Sequence, residues 1–256
     1  MLEIHQLSVL SDNYVYLVRD SVTGQTGAVD PAMAEPVLAA LKRLDWTLSF
    51  IINTHHHPDH VGGNDALVRE TGCQVVGPRA DAARIPGITL EVGDGDEFAL
   101  GEAKAQVFDV PGHTRGHIAY WFRDAAALFC GDTLFALGCG RLFEGTPAQM
   151  WHSLSKLKVL PPETRIYCAH EYTQSNGRFA LSVEPANSRL VARMQRVDEL
   201  RAAGQPTVPS TLEEEMATNP FLRPDSLEIQ HTLGLPGAAL VDVFGATRAL
   251  KDNFRS

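Results

Sequence analysis

Histidine and aspartate side chains are concentrated in the stretch from His55 to His60, which reads His-His-His-Pro-Asp-His. Imidazole nitrogens and carboxylate oxygens are the ligand atoms that bind zinc and similar divalent metals in proteins. If the backbone stays extended here, His55, His57 and Asp59 share one side, because side chains alternate along an extended chain. His56 then points the other way and is left out of the ligand set. We interpret the stretch, with His60 as its fourth ligand, as half of a two-metal site.

Three further candidate ligands, His113, Asp132 and His170, occur singly, and each follows an apolar run that is typical of a buried strand. The first stretch likewise follows an apolar run with two adjacent isoleucines at residues 49–53. Four strand ends with metal-binding side chains would converge at one edge of a sheet. Seven ligands are too many for one zinc ion, which takes about four, and suit two metals that share a bridging carboxylate. His117 lies four residues after His113 and could orient a ligand.

The segments that must position these ligands alternate between strand and helix patterns. Strands are predicted at residues 15–18, 27–29, 73–76 and at several segments between 88 and 110, and helices at 34–44 and 61–70. Beyond His170 the pattern becomes helical, with helices predicted at residues 174–183 and 186–203, from Thr211 onward and at 237–254. Ser210 or Thr211 is expected to cap the third of these helices. We therefore predict two domains, residues 1–170 and 171–256.

Composition and charge limit the classes of function. The 256 residues are 44% hydrophobic and 21% charged, which is ordinary for a soluble globular protein. The net charge of −9 argues against nucleic acid as the main partner, since such proteins usually show a basic face. No segment approaches the roughly 20 apolar residues of a membrane span, and no signal-peptide pattern opens the chain. We expect a cytoplasmic monomer without a membrane partner, and reduced thiols, because the four cysteines lack CxxC spacing.

These motifs together resemble a known family. The spacing of the seven ligands is similar to that of the metallo-β-lactamase fold superfamily. Motifs that resemble glyoxalase II, the hydroxyacylglutathione hydrolase family, lie at residues 131–135, 138–141, 144–146, 169–173, 217–223 and 251–254. The resemblance spans nearly the whole chain. It implies an α/β (α+β) fold, an αββα sandwich of two mixed β-sheets flanked by helices, with a C-terminal helical domain that completes the substrate site.

The resemblance also implies a metal assignment with one shared carboxylate: His55, His57 and His113 for one ion, Asp59, His60 and His170 for the other, and Asp132 for both. Two divalent ions acidify a bridging water, so that hydroxide is available at neutral pH. By resemblance, the hydroxide attacks the carbonyl carbon of an S-(2-hydroxyacyl)glutathione thioester, S-D-lactoylglutathione, in the second step of methylglyoxal degradation. Asp59 and Asp132 are the expected catalytic carboxylates. Zinc is the expected metal, and iron and manganese are alternatives because the same ligands accept them.

The substrate-binding residues implied by the resemblance are Arg141, Phe143, Tyr172, Arg248 and Lys251. Phe143 departs from the family pattern, in which tyrosine is common, so one phenolic hydrogen bond is expected to be missing. Arg248 and Lys251 lie three residues apart in the last predicted helix and can present two positive groups to the glycine carboxylate of glutathione. Alternatively, these cations only offset the negative end of the helix dipole.

Other activities share such a metal site. A phosphodiesterase or nuclease of the same superfamily is disfavoured by the net charge of −9. A thiol dioxygenase relative would bind a single iron with fewer ligands, and a β-lactamase of this fold is expected to lack the helical extension. A redox or binding module that uses its metals structurally is the non-hydrolytic alternative. A thioester suits the lack of a dedicated proton donor, because a thiol with a pKa of about 8.5 leaves readily as thiolate.

Overall fold

The computed structural model describes residues 1–255, and the chain forms two compact units. Unit 1 comprises Met1–Asp109 and Thr114–Gly131, and unit 2 comprises Val110–His113 and the chain from Asp132 onward. The expected mixed α/β fold, with two mixed sheets flanked by helices, is confirmed. Within the described residues no helix is long and apolar enough to cross a membrane. The domains predicted from the sequence, 1–170 and 171–256, were divided where the pattern becomes helical, whereas the units are divided by contacts. The domain division stays a prediction.

Unit 1 contains a six-stranded sheet whose strands are adjacent in chain order: β1 (Leu2–Val9), β2 (Asn13–Asp20), β3 (Thr26–Val29), β4 (Leu48–Ile52), β5 (Gln74–Pro78) and β6 (Leu90–Val92). The first three strands pair antiparallel, and β2 and β3 contain the strands predicted at residues 15–18 and 27–29, whereas β3 to β6 pair in parallel. Parallel neighbours end at the same edge, so the chain leaves β3 and β4 side by side. The backbone N–H of Asp30 donates to the carbonyl of Ile52 there, at 3.1 Å.

The rest of unit 1 consists of α1 (Ala34–Leu44), α2 (Pro58–Val61), α3 (Asn64–Thr71), β7 (Glu97–Leu100), β8 (Ala103–Asp109), β9 (Ile118–Phe122) and β10 (Ala127–Gly131), with short 3₁₀ helices at Arg79–Arg84 and Arg123–Ala125. Strands β7 to β10 pair antiparallel in sequence order. Helix α1 has the predicted bounds because its apolar residues recur at helical spacing. It buries Val37 and Leu41 in a core with Val15 and Ile51.

The extended backbone expected through the first ligand stretch is wrong from Pro58 onward. Residues Pro58–Val61 form the one-turn helix α2 with proline at its first position, where the fixed φ of proline suits a helix and its missing N–H costs nothing. Asp59 and His60 therefore lie on a helical turn, while His57 keeps an extended conformation as the N-cap. The helix predicted at residues 61–70 begins three residues later, at Asn64.

Unit 2 is mainly helical. Its elements are β11 (Leu134–Phe135), β12 (Gly138–Cys139), α4 (Pro147–Lys158), β13 (Arg165–Cys168), α5 (Thr173–Val183), α6 (Ser188–Ala202), β14 (Ser210–Thr211), α7 (Leu212–Thr218), α8 (Leu227–Thr232) and α9 (Leu240–Asn253), with a 3₁₀ helix at Pro220–Leu222. The cap expected at residues 210–211 is Thr211, whose hydroxyl accepts from the N–H of Glu214 at 3.3 Å. Leu137, Ala180 and Leu190 share a core that includes α5 and α6. The last helix begins three residues later than predicted.

Candidate metal centre

The four ligands predicted in the first stretch lie where the chain leaves β4, in unit 1. Nε2 of His55 and Nδ1 of His57 are 3.1 Å apart. The rings of His55 and His60 have centroids 4.0 Å apart, and Nε2 of His60 lies 3.6 Å from Oδ2 of Asp59. We call these four residues the first ligand group. Ligand atoms are thus close together in two pairs, His55 with His57 and Asp59 with His60, and His55 and His60 are buried.

Asp30, which the sequence analysis did not select, orients the first ligand group. Its Oδ1 accepts from the N–H of Thr54 at 2.8 Å, and its Oδ2 accepts from the Thr54 hydroxyl at 2.7 Å. The same Oδ2 lies 3.1 Å from Nδ1 of His60. Because a carboxylate only accepts, Nδ1 is the protonated nitrogen, and Nε2 keeps the lone pair that a metal needs. Donor atoms of Asp30, His55 and His60 also lie within 4.8 Å of one another.

A sequence signal for Asp30 did exist. It directly follows the last residue of β3, just as the singly occurring ligands follow apolar runs. Its non-glycine backbone has a φ of 47°, a left-handed conformation that aspartate tolerates better than most residues. A buried carboxylate at a strand end with unusual backbone geometry is typical of a functional position.

The neighbours of the first ligand group have separate partners. Asn13 donates through Nδ2 to Oδ2 of Asp59 at 3.0 Å, which fixes that side chain. His56 turns to Asp81, with 3.0 Å between Nδ1 and Oδ2, and Arg84 bonds to both residues. His117 stacks on His55 with ring centroids 4.5 Å apart and planes 20° apart. His56 is thus held by a buried carboxylate, in keeping with its exclusion from the ligand set.

In unit 2, Asp132 lies between two imidazoles. Nε2 of His113 is 3.3 Å from Oδ2 of Asp132, and Nε2 of His170 is 3.4 Å from Oδ1. Each carboxylate oxygen therefore faces a different ring, which is the arrangement that a carboxylate bridging two cations requires. All three side chains are buried. We call these residues the second ligand group. Gly131, just before Asp132, has a φ of 48°, so a left-handed turn directs the aspartate out of β10.

Three further contacts orient the histidines of the second ligand group. Nδ1 of His113 donates to the backbone carbonyl of Arg141 at 2.9 Å, which leaves Nε2 free of a proton. The ring of His170 stacks on Tyr172, with centroids 4.7 Å apart and planes 2° apart, and the edge of Phe135 packs against it. The imidazole planes are therefore held by packing as well as by hydrogen bonds.

The predicted substrate contacts Phe143 and Tyr172 are exposed aromatic residues of unit 2. Phe143 is 64% exposed and Tyr172 is 38% exposed. Phe143 packs edge-to-face on His113, with 5.2 Å between centroids. Each exposed aromatic ring thus lies directly against a histidine of the second ligand group, which suits contact with a bound molecule. Arg141 is exposed as well, with Nε 4.0 Å from Oδ1 of Asp252.

The two predicted carboxylate-binding cations lie on α9 and are already engaged within unit 2. Arg248 is buried, and its guanidinium donates to the carbonyl of Cys139 at 2.8 Å and to Oδ1 of Asp252 at 2.9 Å. Nζ of Lys251 lies 3.3 Å from both Oγ and the carbonyl oxygen of Ser175. Burial, followed by the nearby charges of Arg248 and Arg141, lowers the pKa of Lys251 to about 8. The three cations outnumber Asp252, the carboxylate that contacts both arginines, and the remaining positive charge favours a bound anion.

Comparison with known proteins is decisive once this geometry is established. Residues 11–170 match the metallo-beta-lactamase superfamily, and residues 171–254 match the hydroxyacylglutathione hydrolase C-terminus. The protein named hydroxyacylglutathione hydrolase from Methylococcus capsulatus is 60% identical over 255 residues, covering 100% of both chains. The chain belongs to the hydroxyacylglutathione hydrolase family. The resemblance predicted from the sequence motifs is therefore confirmed, and family membership identifies the chain as an enzyme of the hydrolase class.

Solved structures similar to this hydroxyacylglutathione hydrolase family member support the same fold. ETHE1 from Myxococcus xanthus superposes with a TM-score of 0.68 at 30% identity, covering 97% of this chain and 99% of that one. TTHA1623, solved in a di-iron-bound form, superposes with a TM-score of 0.62 at 26% identity, covering 86% and 100%. The imidazole and carboxylate donors of both ligand groups match the preferences of zinc, iron and manganese. The chain therefore carries metal-binding clusters on a metallo-β-lactamase fold.

Proposed function

We propose that this protein hydrolyses S-(2-hydroxyacyl)glutathione thioesters, with S-D-lactoylglutathione as substrate and glutathione and D-lactate as products. The reaction would be the second step of methylglyoxal degradation. The observation that carries the proposal is the carboxylate of Asp132, with one oxygen toward His113 and the other toward His170. It is supported by the full-length similarity to a protein named hydroxyacylglutathione hydrolase.

The proposed centre binds two divalent metal ions per chain, with the ligands distributed as the resemblance implies: His55, His57 and His113 for one ion, Asp59, His60 and His170 for the other, and Asp132 for both. The proposal is supported by the types of ligand atom present and by hydrogen bonds that place the proton of His60 and of His113 on Nδ1, so that Nε2 carries a lone pair. When bound, the ions supply Lewis acidity and lower the pKa of a water to about 7. Zinc is our first choice. The di-iron form of TTHA1623 keeps iron as an alternative, and manganese suits the same donors.

The catalytic roles of Asp59 and Asp132 follow from how each is held. Asn13 donates to Oδ2 of Asp59 and holds this carboxylate in place, and we assign to the carboxylate the role of accepting a hydrogen bond from the attacking water and aiming it. Asp132 presents both oxygens between imidazoles and holds the centre together. The oxygen of the water would form a bond to the thioester carbonyl carbon, the water would lose its proton to solvent, and collapse of the tetrahedral adduct would break the carbon–sulfur bond. The sulfur would leave as a thiolate without a general acid, because the pKa of the corresponding thiol is only about 8.5.

Substrate recognition is proposed for the exposed rings and the cations of unit 2. Phe143 and Tyr172 offer apolar surface beside the second ligand group. Arg141, Arg248 and Lys251 form a positive cluster in a chain whose net charge is −9. An anionic tripeptide needs such a local cluster, and the glycine carboxylate of glutathione is the group we place there. A bound carboxylate would favour the charged form of Lys251 and so offset the burial of its ammonium.

We also propose the arrangement expected from the sequence. Residues 1–170 form the catalytic domain, and residues 171–256 form the helical substrate-binding domain. The protein acts as a monomer in the cytoplasm, with neither nucleic acid nor membrane as partner. The net charge of −9 supports the exclusion of nucleic acid as a partner.

A substrate comparison tests the proposed function. The purified protein is assayed with S-D-lactoylglutathione, with a small thioester that lacks the tripeptide and with a phosphodiester, and its metals are measured by elemental analysis. We expect about two metal ions per chain, rapid hydrolysis of the glutathione thioester, slower hydrolysis of the small thioester and none of the phosphodiester. Preferential hydrolysis of the phosphodiester, or full activity in metal-free protein, would contradict the proposal.

A further inference from the structure

A short hairpin follows Asp132, and helical segments hold it from outside. Strands β11 and β12 enclose a turn in which Leu137 has a left-handed backbone, with a φ of 59°. The N–H of Leu137 donates to Oε2 of Glu215 in α7, at 2.9 Å. Asn219, just after α7, donates through Nδ2 to the carbonyl oxygens of Phe135 at 3.1 Å and Gly138 at 3.0 Å. One amide group therefore ties both strands of the hairpin, and one carboxylate ties its turn.

Glu215 and Asn219 form one buried network with Arg193 of α6. Nδ2 of Asn219 also donates to Oε2 of Glu215 at 3.0 Å. The guanidinium of Arg193 donates to Oε1 of Glu215 and, at 2.7 Å, to the hydroxyl of Thr218. Glu215 is 0% exposed and Arg193 is 3% exposed. A buried ion pair often stabilises a fold no better than packed apolar side chains would, so the charge alone does not account for this carboxylate. Its bond to the strained turn of the hairpin does.

Both ends of the hairpin reach the second ligand group. Its first strand begins two residues after Asp132. Its second strand leads through Gly140 to Arg141, whose carbonyl accepts from Nδ1 of His113 at 2.9 Å. At Gly140 a Cβ atom would lie 2.0 Å from the backbone oxygen of Asp132, so the two ends of the hairpin are in close contact. A shift of the hairpin would therefore move Asp132 and the orienting partner of His113 together.

We propose that Glu215 and Asn219 are positioning residues for the metal centre, acting through the hairpin to fix Asp132 and His113. The inference rests on the proposed function only in taking Asp132 and His113 as metal ligands. Residues that orient ligands from outside the coordination sphere typically change metal affinity by about 10- to 100-fold when they are removed. A residue that serves only the stability of the helices would lower the melting temperature and leave metal affinity unchanged.

The test compares variants in which a buried side chain is replaced by one of similar size with fewer hydrogen-bonding atoms. Glu215→Gln keeps one oxygen that accepts from the N–H of Leu137, and it removes the charge and the acceptor that faces Arg193. Glu215→Met keeps the volume and removes the acceptor, and Asn219→Leu removes the two donors. The matched control is Glu184→Met, because Glu184 is also buried in unit 2 and paired with an arginine, Arg223, but bonds to no residue of the hairpin. All variants are made in the full-length protein.

Zinc affinity is measured by competition with a chromophoric chelator, and stability is measured by thermal unfolding. We expect Glu215→Met and Asn219→Leu to weaken zinc binding by about 10- to 100-fold. Glu215→Gln and Glu184→Met should stay close to the unsubstituted protein in zinc affinity, although both lose stability. In turnover assays, the first two variants should lower kcat with little change in KM.

Unchanged zinc affinity in Glu215→Met and Asn219→Leu, at a melting temperature as low as that of Glu184→Met, would overturn the inference. If Glu215→Met does not fold, the zinc affinity of Asn219→Ser is measured in its place, because this variant keeps the Glu215–Arg193 pair. An affinity equal to that of the unsubstituted protein would then overturn the inference. The zinc measurement needs no turnover. A protein that binds zinc but hydrolyses no thioester would therefore refute the proposed function while the positioning role is still tested.

Discussion

Asp30 accepts a hydrogen bond from Nδ1 of His60 at 3.1 Å, and both side chains are almost completely buried. This contact determines which nitrogen of the imidazole carries the proton, and it leaves Nε2 for a metal. Asp30 also accepts two hydrogen bonds from Thr54, the residue directly before His55. One carboxylate thus orients the first ligand group at two points, although it lies 24 residues before Thr54 in the chain.

Asp30→Asn is predicted to weaken metal binding. Asparagine tolerates the left-handed backbone of this position, so the substitution tests the carboxylate with little added strain. The amide cannot accept at both of its ends, so His60 loses its negatively charged partner. We expect metal affinity to fall by about 10- to 100-fold, as is usual for such partners. Metal affinity is measured by competition with a chelator, and Asp65→Asn, a substitution of an exposed aspartate, is the control. Equal affinity in both variants would contradict the assigned role.

Asp132→Ala is predicted to abolish turnover and to lower the metal content. The proposed function makes this carboxylate the shared ligand, and its loss removes several kcal/mol of charge stabilisation, or about a thousand-fold or more in kcat. Elemental analysis after dialysis and a thioesterase assay check both effects. Asp225→Ala, an exposed aspartate of the same unit, should leave both unchanged. A purified Asp132→Ala protein with two metals and full activity would remove Asp132 from the centre.

Lys251 is predicted to make the KM for S-D-lactoylglutathione dependent on pH. Its pKa is lowered to about 8 by burial and by Arg248 and Arg141, and a carboxylate binds the protonated form. As pH rises from 7 to 9 the ammonium loses its proton, so KM should increase, while KM for a thioester without the tripeptide stays constant. Lys251→Met should have a high KM over the whole range. A KM that rises equally for both substrates would point to another titrating group.

The lowered pKa of Lys251 also affects stability: substrate binding weakens as the pH rises, whereas the folded state becomes more stable. In the unfolded chain Lys251 titrates near its ordinary pKa of 10.5, so between pH 8 and 10.5 the unfolded state binds more protons than the folded state. Stability therefore gains a contribution from this residue as pH rises through that window. Comparison of the melting temperatures of the unsubstituted protein and Lys251→Met from pH 7 to 10.5 isolates this contribution. The melting temperature of the unsubstituted protein should therefore rise relative to that of Lys251→Met as the pH increases.

The two exposed aromatic residues are predicted to differ in their effect on KM. Tyr172→Phe removes one hydroxyl, and the loss of a single hydrogen bond should raise KM by about 2- to 10-fold. Phe143→Tyr adds a hydroxyl to a ring that is already 64% exposed, so the fold tolerates it, and KM should fall. Steady-state kinetics with S-D-lactoylglutathione measure both. If Phe143→Tyr changes nothing while Tyr172→Phe raises KM, only Tyr172 belongs to the recognition set.

Local patterns predicted the elements well where one segment decides its own structure. Helix α1 has the predicted bounds, Ala34–Leu44, because the spacing of its own apolar residues is enough to indicate a helix. The extended backbone expected for the first stretch does not include the effect of Pro58, which begins a helical turn that contains Asp59. Residues whose roles depend on distant pairing were missed. Asp30 reaches His60 because β3 and β4 are parallel neighbours, and Glu215 reaches a turn 78 residues earlier.

The division of the chain into units has a consequence for the order of synthesis. His113 belongs to unit 2, although the segments on both sides of it belong to unit 1. A growing chain therefore completes the strands of unit 1 while His113 still lacks Asp132, 19 residues later, and His170, 57 residues later. The second ligand group is finished only when β13 has left the ribosome. A translation product that stops before residue 170 would carry the whole first ligand group without the histidine that completes the second.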